Sequence, residues 1–167
     1  NYSDIDQLIT AVLSELPEQA IYLGYSLGGM VATTIAHRFP ERVTALITLA
    51  SNVQFVANDQ WPHAMDKKVF DDFYALLEKN SVLALKRFAG LQAHGSNHEK
   101  SLVKTIREKN EVISDKVLTG SLSFLSALNN PIHSNSIKVP ALYLFGEKDS
   151  LVPLAAATTL KEHLGDQ

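Results

Sequence analysis

The chain has 167 residues, a single-domain length, and its 46% hydrophobic and 20% charged residues place it among globular proteins able to bury a sizeable core. Whole-chain disorder, collagen and coiled coil are excluded, and 15 Lys and Arg against 18 Asp and Glu (net charge -3) exclude a generally basic nucleic-acid binder. With no cysteine, a disulfide framework, a Cys-ligated zinc site and a thiol nucleophile are excluded too.

No apolar run approaches the roughly 18 residues of a membrane helix; the longest, near 45–50, is strand-sized. No secretory signal pattern is visible, and a cytoplasmic location is the expectation. The chain has no initiator Met and opens inside a helical pattern, so it reads as a piece of a longer protein.

Ser3 followed by Asp6 resembles a helix-opening cap, and Ile5, Leu8, Ile9, Val12, Leu13 and Leu16 repeat at helical spacing until Pro17. Residues 20–24 form a short apolar run suited to a buried strand. Residues 27–39 return to helix, stopped by Pro40, and 44–49 read as a second buried strand. Apolar runs of this kind suit parallel strands covered on both faces. From 53 to 130 the pattern is helical: Val69, Phe70, Phe73, Leu76 and Leu77 mark one helix, 82–92 a second, 99–109 and 114–128 two more. After Pro131 and a polar loop, Pro140 precedes a third strand at 141–145, a turn at 146–149 and a closing helix at 154–164.

This order predicts an α/β fold with a parallel sheet. Residues 1–52 and 136–167 form the core, and 53–135 a helical cap inserted over the strand ends. Ligands of such sheets bind at the carboxyl ends of the strands.

Gly24-Tyr25-Ser26-Leu27-Gly28-Gly29 fits G-x-S-x-G with a strand before it and a helix after it, the context of a nucleophile elbow. A side chain larger than hydrogen at 24 or 28 is expected to clash with nearby backbone, and Gly29 to let the helix approach the strand. The turn would lift the Ser26 hydroxyl clear of the sheet and make the Leu27 N–H an oxyanion donor, aided by the helix dipole. The competing reading is a glycine-rich turn binding phosphate, although no Gly-Lys-Ser/Thr follows to make a P-loop.

A serine nucleophile needs a base, and the base a carboxylate to orient it. Asp149, just after the third strand, is the candidate acid; Glu147, nearer the strand end and in a solvated position, is its rival. No histidine has the right place. His163 falls inside the last helix, His37 on the helix after the elbow, His133 in a loop, and His63, His94 and His98 in the cap. The Gly95 between His94 and His98 argues against a helical metal pair. The catalytic histidine is therefore expected beyond Gln167 and the second oxyanion donor before Asn1, leaving the chain inactive alone.

At this point the sequence resembles the α/β-hydrolase superfamily and, within it, the carboxylesterases of biotin synthesis that cleave the methyl ester of pimeloyl-[acyl-carrier protein]. The resemblance rests on 24–32, on Asp59-Gln60-Trp61-Pro62, on the run from Arg87 to Gly95, and on 143–153. It implies an α/β-hydrolase fold, Ser26 as nucleophile, Leu27 as oxyanion donor and Asp149 as triad acid. Phe88, Ala89, Gly90, Leu91 and Gln92 would line the acyl pocket. The family's oxyanion-loop tryptophan has no counterpart, since Trp61 follows the elbow. No cofactor or metal is implied, and neither nucleic acid nor membrane as partner. The implied partner is an acidic acyl-carrier protein bearing the small acyl ester. Residues 86–109 carry six basic residues against Glu99 and Glu108, a local +4 that would steer such a partner; Arg87, Lys100 and Lys104 are the docking candidates. The alternatives are another hydrolase of the fold (a general carboxylesterase, lipase or C–C hydrolase) or a binding module without a base. Serine at 26 argues against haloalkane dehalogenases and epoxide hydrolases, which use aspartate there.

Overall fold

The computed structural model describes residues 4–109, 113–130 and 137–164; Ser3 and His133, both invoked above, lie outside them. In chain order the elements are α1 (Ile5–Glu15), β1 (Ala20–Tyr25), α2 (Leu27–Arg38), β2 (Val43–Leu49), α3 (Lys67–Lys79), α4 (Ser81–Ala93), α5 (Glu99–Lys109), α6 (Asp115–Ala127), β3 (Ala141–Leu144) and α7 (Ala155–Leu164). None of these helices is long and apolar enough to cross a membrane.

The cap of α1 is Asp4, whose carboxylate accepts the Asp6 N–H at 3.2 Å. At the other end the Arg42 guanidinium collects the carbonyls of Leu13, Pro17 and Glu18 at 3.0, 3.2 and 2.7 Å. Arg42 closes a short 3-10 turn, Pro40–Arg42, that helical periodicity does not reveal because it spans a single turn.

The three strands are parallel in the order β1-β2-β3, with Tyr25 beside Leu49 and Leu49 beside Leu144. All three therefore end along one edge. Side chains alternate across the sheet. Tyr22, Leu46 and Thr48 are buried on one face, where Met30 and Ile35 of α2, Ile9 of α1 and Ala156 and Leu160 of α7 complete the core. Eight consecutive residues of α2, Gly29 to Ala36, are buried, which its small side chains permit.

The other face is different. Ile21, Leu23, Tyr25, Leu49, Leu142 and Leu144 are between 42% and 68% exposed. The described residues thus cover one of the two faces on which strands of this kind are expected to be packed. The sequence shows that both faces are apolar, whereas covering them depends on which helices lie over each.

Helices α3 to α6 pack in sequence-adjacent pairs, α3 on α4 and α4 on α5, with α6 returning onto α3. Asn80 makes the tight α3–α4 corner by donating its N–H to Leu76 C=O at 2.8 Å and accepting Leu83 N–H on its side chain at 2.9 Å. Strand pairing among described residues of this block is limited to the isolated bridges Gln54–Asn129 and Val56–Met65. The outgoing and returning segments are joined where Asn130 N–H meets Val53 C=O at 2.9 Å. Buried Asn130 then donates its side-chain amide to Met30 C=O at 3.0 Å and accepts Thr34 Oγ1 at 2.8 Å. The helical block is thus anchored to α2 one turn beyond Ser26.

Candidate active site

Ser26 lies between β1 and α2 with φ 51° and ψ -121°, left-handed backbone that a non-glycine residue adopts only when its surroundings force it. The forcing contacts are visible. Its N–H donates to Leu49 C=O at 3.0 Å, continuing the ladder, while its C=O accepts from Gly29 N–H (2.9 Å), Met30 N–H (3.2 Å) and Ser51 Oγ (2.8 Å). A Cβ on Gly24 would lie 2.4 Å from Gly28 O, and one on Gly29 would lie 2.6 Å from Ser51 Cβ. A Cβ on Gly28 would meet nothing within 4 Å among the described residues. The expected clash at 28 is therefore corrected: the steric demand falls on Gly24 and Gly29, because Gly28 faces outward on the first turn of α2.

Half-buried Ser26 has no hydrogen-bond partner for its Oγ among the described residues, and Leu27 N–H, at the start of α2, has no acceptor among them. Such an N–H is an orphan donor at the positive end of a helix, suited to a developing oxyanion. Both residues open into a cavity of about 880 Å³. Its walls are mainly apolar, with Phe55, Phe70, Phe73, Leu77 and Leu125 among them.

Phe88, Gly90, Leu91 and Gln92 of α4 stand in this wall. Ala89 does not: it is 1% exposed, packed inside the helical block and absent from the lining, which corrects its expected place. Successive helical residues point about 100° apart, so an unbroken run cannot face one cavity. The wall also takes in residues of α3 and α6 and, between β2 and α3, Phe55 and Met65, none of which the sequence marked as lining. The apolar face of α3 was a usable signal, though it did not say what the face covers.

Asp149 follows β3 at the same sheet edge as Ser26, two strand positions away, roughly 10 Å at ordinary strand spacing. It does not line the cavity. Its Oδ1 accepts the N–H groups of Leu151 and Val152 at 2.8 and 2.9 Å, and its Oδ2 has no partner among the described residues. One oxygen thus fixes the carboxylate in its loop, and the other is unpaired among the described residues. Glu147 is exposed.

Among the described histidines, only His94 lines the cavity, with Nδ1 3.6 Å from Glu99 Oε1. His163 is on α7, with Nδ1 2.8 Å from Thr159 O and its ring edge-on to Trp61 at 5.6 Å. His37, His63 and His98 are exposed. Trp61 is a core residue, 5% exposed, donating Nε1–H to Asn52 Oδ1 at 2.9 Å. Of the basic candidates, Arg87 lines the cavity, while Lys100 and Lys104 flank a second depression of about 440 Å³ on α5. Lys104 pairs with Glu108 at 3.7 Å, an exposed contact of little energetic weight.

The strained serine between strand and helix, the carboxylate after a later strand of one parallel sheet, and the four helices between the second and third strands define a class, and the chain belongs to the α/β-hydrolase family: the family model for the alpha/beta hydrolase fold matches residues 1–167. Within that class, it is 36% identical over 165 residues to the pimeloyl-[acyl-carrier protein] methyl ester esterase of Vibrio parahaemolyticus, covering 96% of this chain and 64% of that protein. It is 38% identical over 154 residues to the biotin biosynthesis bifunctional protein BioHC of Cellvibrio japonicus, covering 92% of this chain and 31% of that protein. The chain thus spans under two thirds of these curated relatives. Among solved structures, the enol-lactonase of Burkholderia xenovorans LB400 superposes with a TM-score of 0.78 at 18% identity, over 95% of this chain and 60% of that one. The esterase EaEST of Exiguobacterium antarcticum gives 0.72 at 23% identity, over 98% and 60%. At these identities the structural likeness is one of fold.

Proposed function

We propose that this chain carries the nucleophile, acid and acyl cavity of a cytoplasmic serine carboxylesterase that hydrolyses the methyl ester of a pimeloyl chain borne on acyl-carrier protein. The observation that carries the reading is the Ser26 Oγ, without a partner among the described residues, held at φ 51° in the lining of an apolar cavity. The names of the relatives, which state this activity for those proteins, support the substrate.

Ser26 Oγ attacks the ester carbonyl while a histidine from outside the 167 residues takes its proton. Leu27 N–H holds the oxyanion, and Asp149 Oδ2 orients the imidazole and stabilises its charged form. Methanol leaves with that proton, and water, activated by the same imidazole, releases the acid and frees Ser26. Phe88, Gly90, Leu91 and Gln92 hold the methylene chain. Arg87, Lys100 and Lys104 face the acidic carrier and raise the rate of encounter.

The test is Ser26→Ala in the full-length protein. Hydrolysis of pimeloyl-type methyl esters and of short p-nitrophenyl esters should fall by about 10³-fold or more with the fold intact. Turnover within tenfold of the parent would refute the assignment.

A further inference from the structure

We propose that Ser150, together with Gly95, clamps the acid-bearing loop to the wall of the acyl cavity, making Ser150 a positioning residue for Asp149; the inference rests on the esterase reading above. Ser150 Oγ donates to the Leu91 carbonyl at 3.0 Å. That carbonyl belongs to the last turn of α4 and otherwise accepts, among the described residues, the long 3.3 Å bond from His94 N–H. Two residues before Ser150, Lys148 rests on Gly95, which has φ 78°; a Cβ there would lie 3.1 Å from Lys148 Cβ and 3.4 Å from Lys148 O. Both neighbours of Asp149 are therefore seated on the end of α4 and the turn after it, and this helix end contributes Leu91, Gln92 and His94 to the cavity.

Asp149 is itself tied to its own loop, since Oδ1 accepts two of the loop's N–H groups. The free Oδ2 consequently moves when the loop moves, and the loop is located by the cavity wall. A chain filling the cavity against Leu91 and Gln92 braces the same helix end that seats the acid. Binding and the orientation of the catalytic imidazole are in this way coupled through the Ser150 hydroxyl and the seat of Lys148 on Gly95.

Ser150 is exposed, so its replacement leaves the core untouched. In the full-length enzyme, Ser150→Ala should lower kcat about tenfold with KM changed less than twofold, the scale of effect expected when a catalytic group is slightly misplaced. A carboxylate beside an imidazolium raises its pKa, so a displaced Asp149 should shift the acid limb of the kcat/KM–pH profile to lower pH. Ser150→Thr should restore both, and Gly95→Ala, which pushes Lys148 and leaves the hydroxyl, should reproduce the loss. A Ser150→Ala enzyme with parental kcat and acid limb, changed only in thermal stability, would reduce the contact to a helix end-cap and overturn the clamp. Ser26→Ala is measured alongside: if it is inactive, that result overturns the clamp alone, whereas an active Ser26→Ala enzyme overturns the esterase reading and the clamp with it.

Discussion

A methyl group on residue 24 would sit 2.4 Å from Gly28 O and 2.5 Å from Gly29 N, both backbone atoms that cannot yield without moving α2. Gly24→Ala should therefore destabilise the full-length protein by about 3 kcal/mol and abolish turnover, whereas Gly28→Ala, on α2 with nothing near its Cβ among the described residues, should be neutral or stabilising by up to about 1 kcal/mol. Denaturant unfolding of the two variants checks the contrast. The motif was legible in the sequence, but the division of labour between its glycines was not, because spacing does not say which hydrogen faces the strand. Tyr143 was legible only as a strand residue. Its hydroxyl is buried without a partner among the described residues, and burial pushes its pKa from 10.0 to about 12. The folded value exceeds the unfolded one, so stability is intact below about pH 10 and falls as pH rises towards about 12. Tyr143→Phe should remove that alkaline loss while changing stability at pH 7 by under about 1 kcal/mol, since no hydrogen bond is broken. Unfolding measured at pH 7, 10 and 11.5 tests it.

At the scale of elements, apolar spacing located α3, α4, α5 and α6 within one or two residues, because each helix has an apolar stripe and a recognisable start or stop. The stripe does not say which neighbour it meets, and so Phe70, Leu77 and Leu125 went unassigned as cavity wall while Ala89 was assigned to it. Asn130 was equally invisible, being one polar residue ahead of Pro131 with no periodicity to mark it. Its two buried side-chain bonds hold the base of the helical block to the nucleophile helix. Asn130→Ala leaves Met30 C=O and Thr34 with weaker partners, and should destabilise the protein by roughly 2–3 kcal/mol. A midpoint shift in urea of the full-length protein measures this; an unshifted midpoint would show that the anchor carries no stability.

For the molecule as a whole, the parallel sheet and the run of helices between its strands were readable from element order, but which sheet face these helices leave uncovered was not. Prepared alone, the 167-residue chain should bind hydrophobic dyes and associate with rising concentration through Ile21, Leu23, Tyr25, Leu142 and Leu144; a dye-silent monomer would contradict this. The cationic face of α5 also acts at this scale. Lys100→Glu with Lys104→Glu should lower kcat/KM for a carrier-bound ester about tenfold at low salt, with the effect shrinking at high salt, and leave small esters unaffected. Equal loss on both substrates would remove the docking role. The central claim concerns Ser26, and its most direct test is a fluorophosphonate probe added to the full-length protein, followed by peptide mass mapping. One stoichiometric adduct is expected, on Ser26, with loss of ester hydrolysis in proportion. An adduct on another residue, or full esterase activity with Ser26 unlabelled, would contradict it.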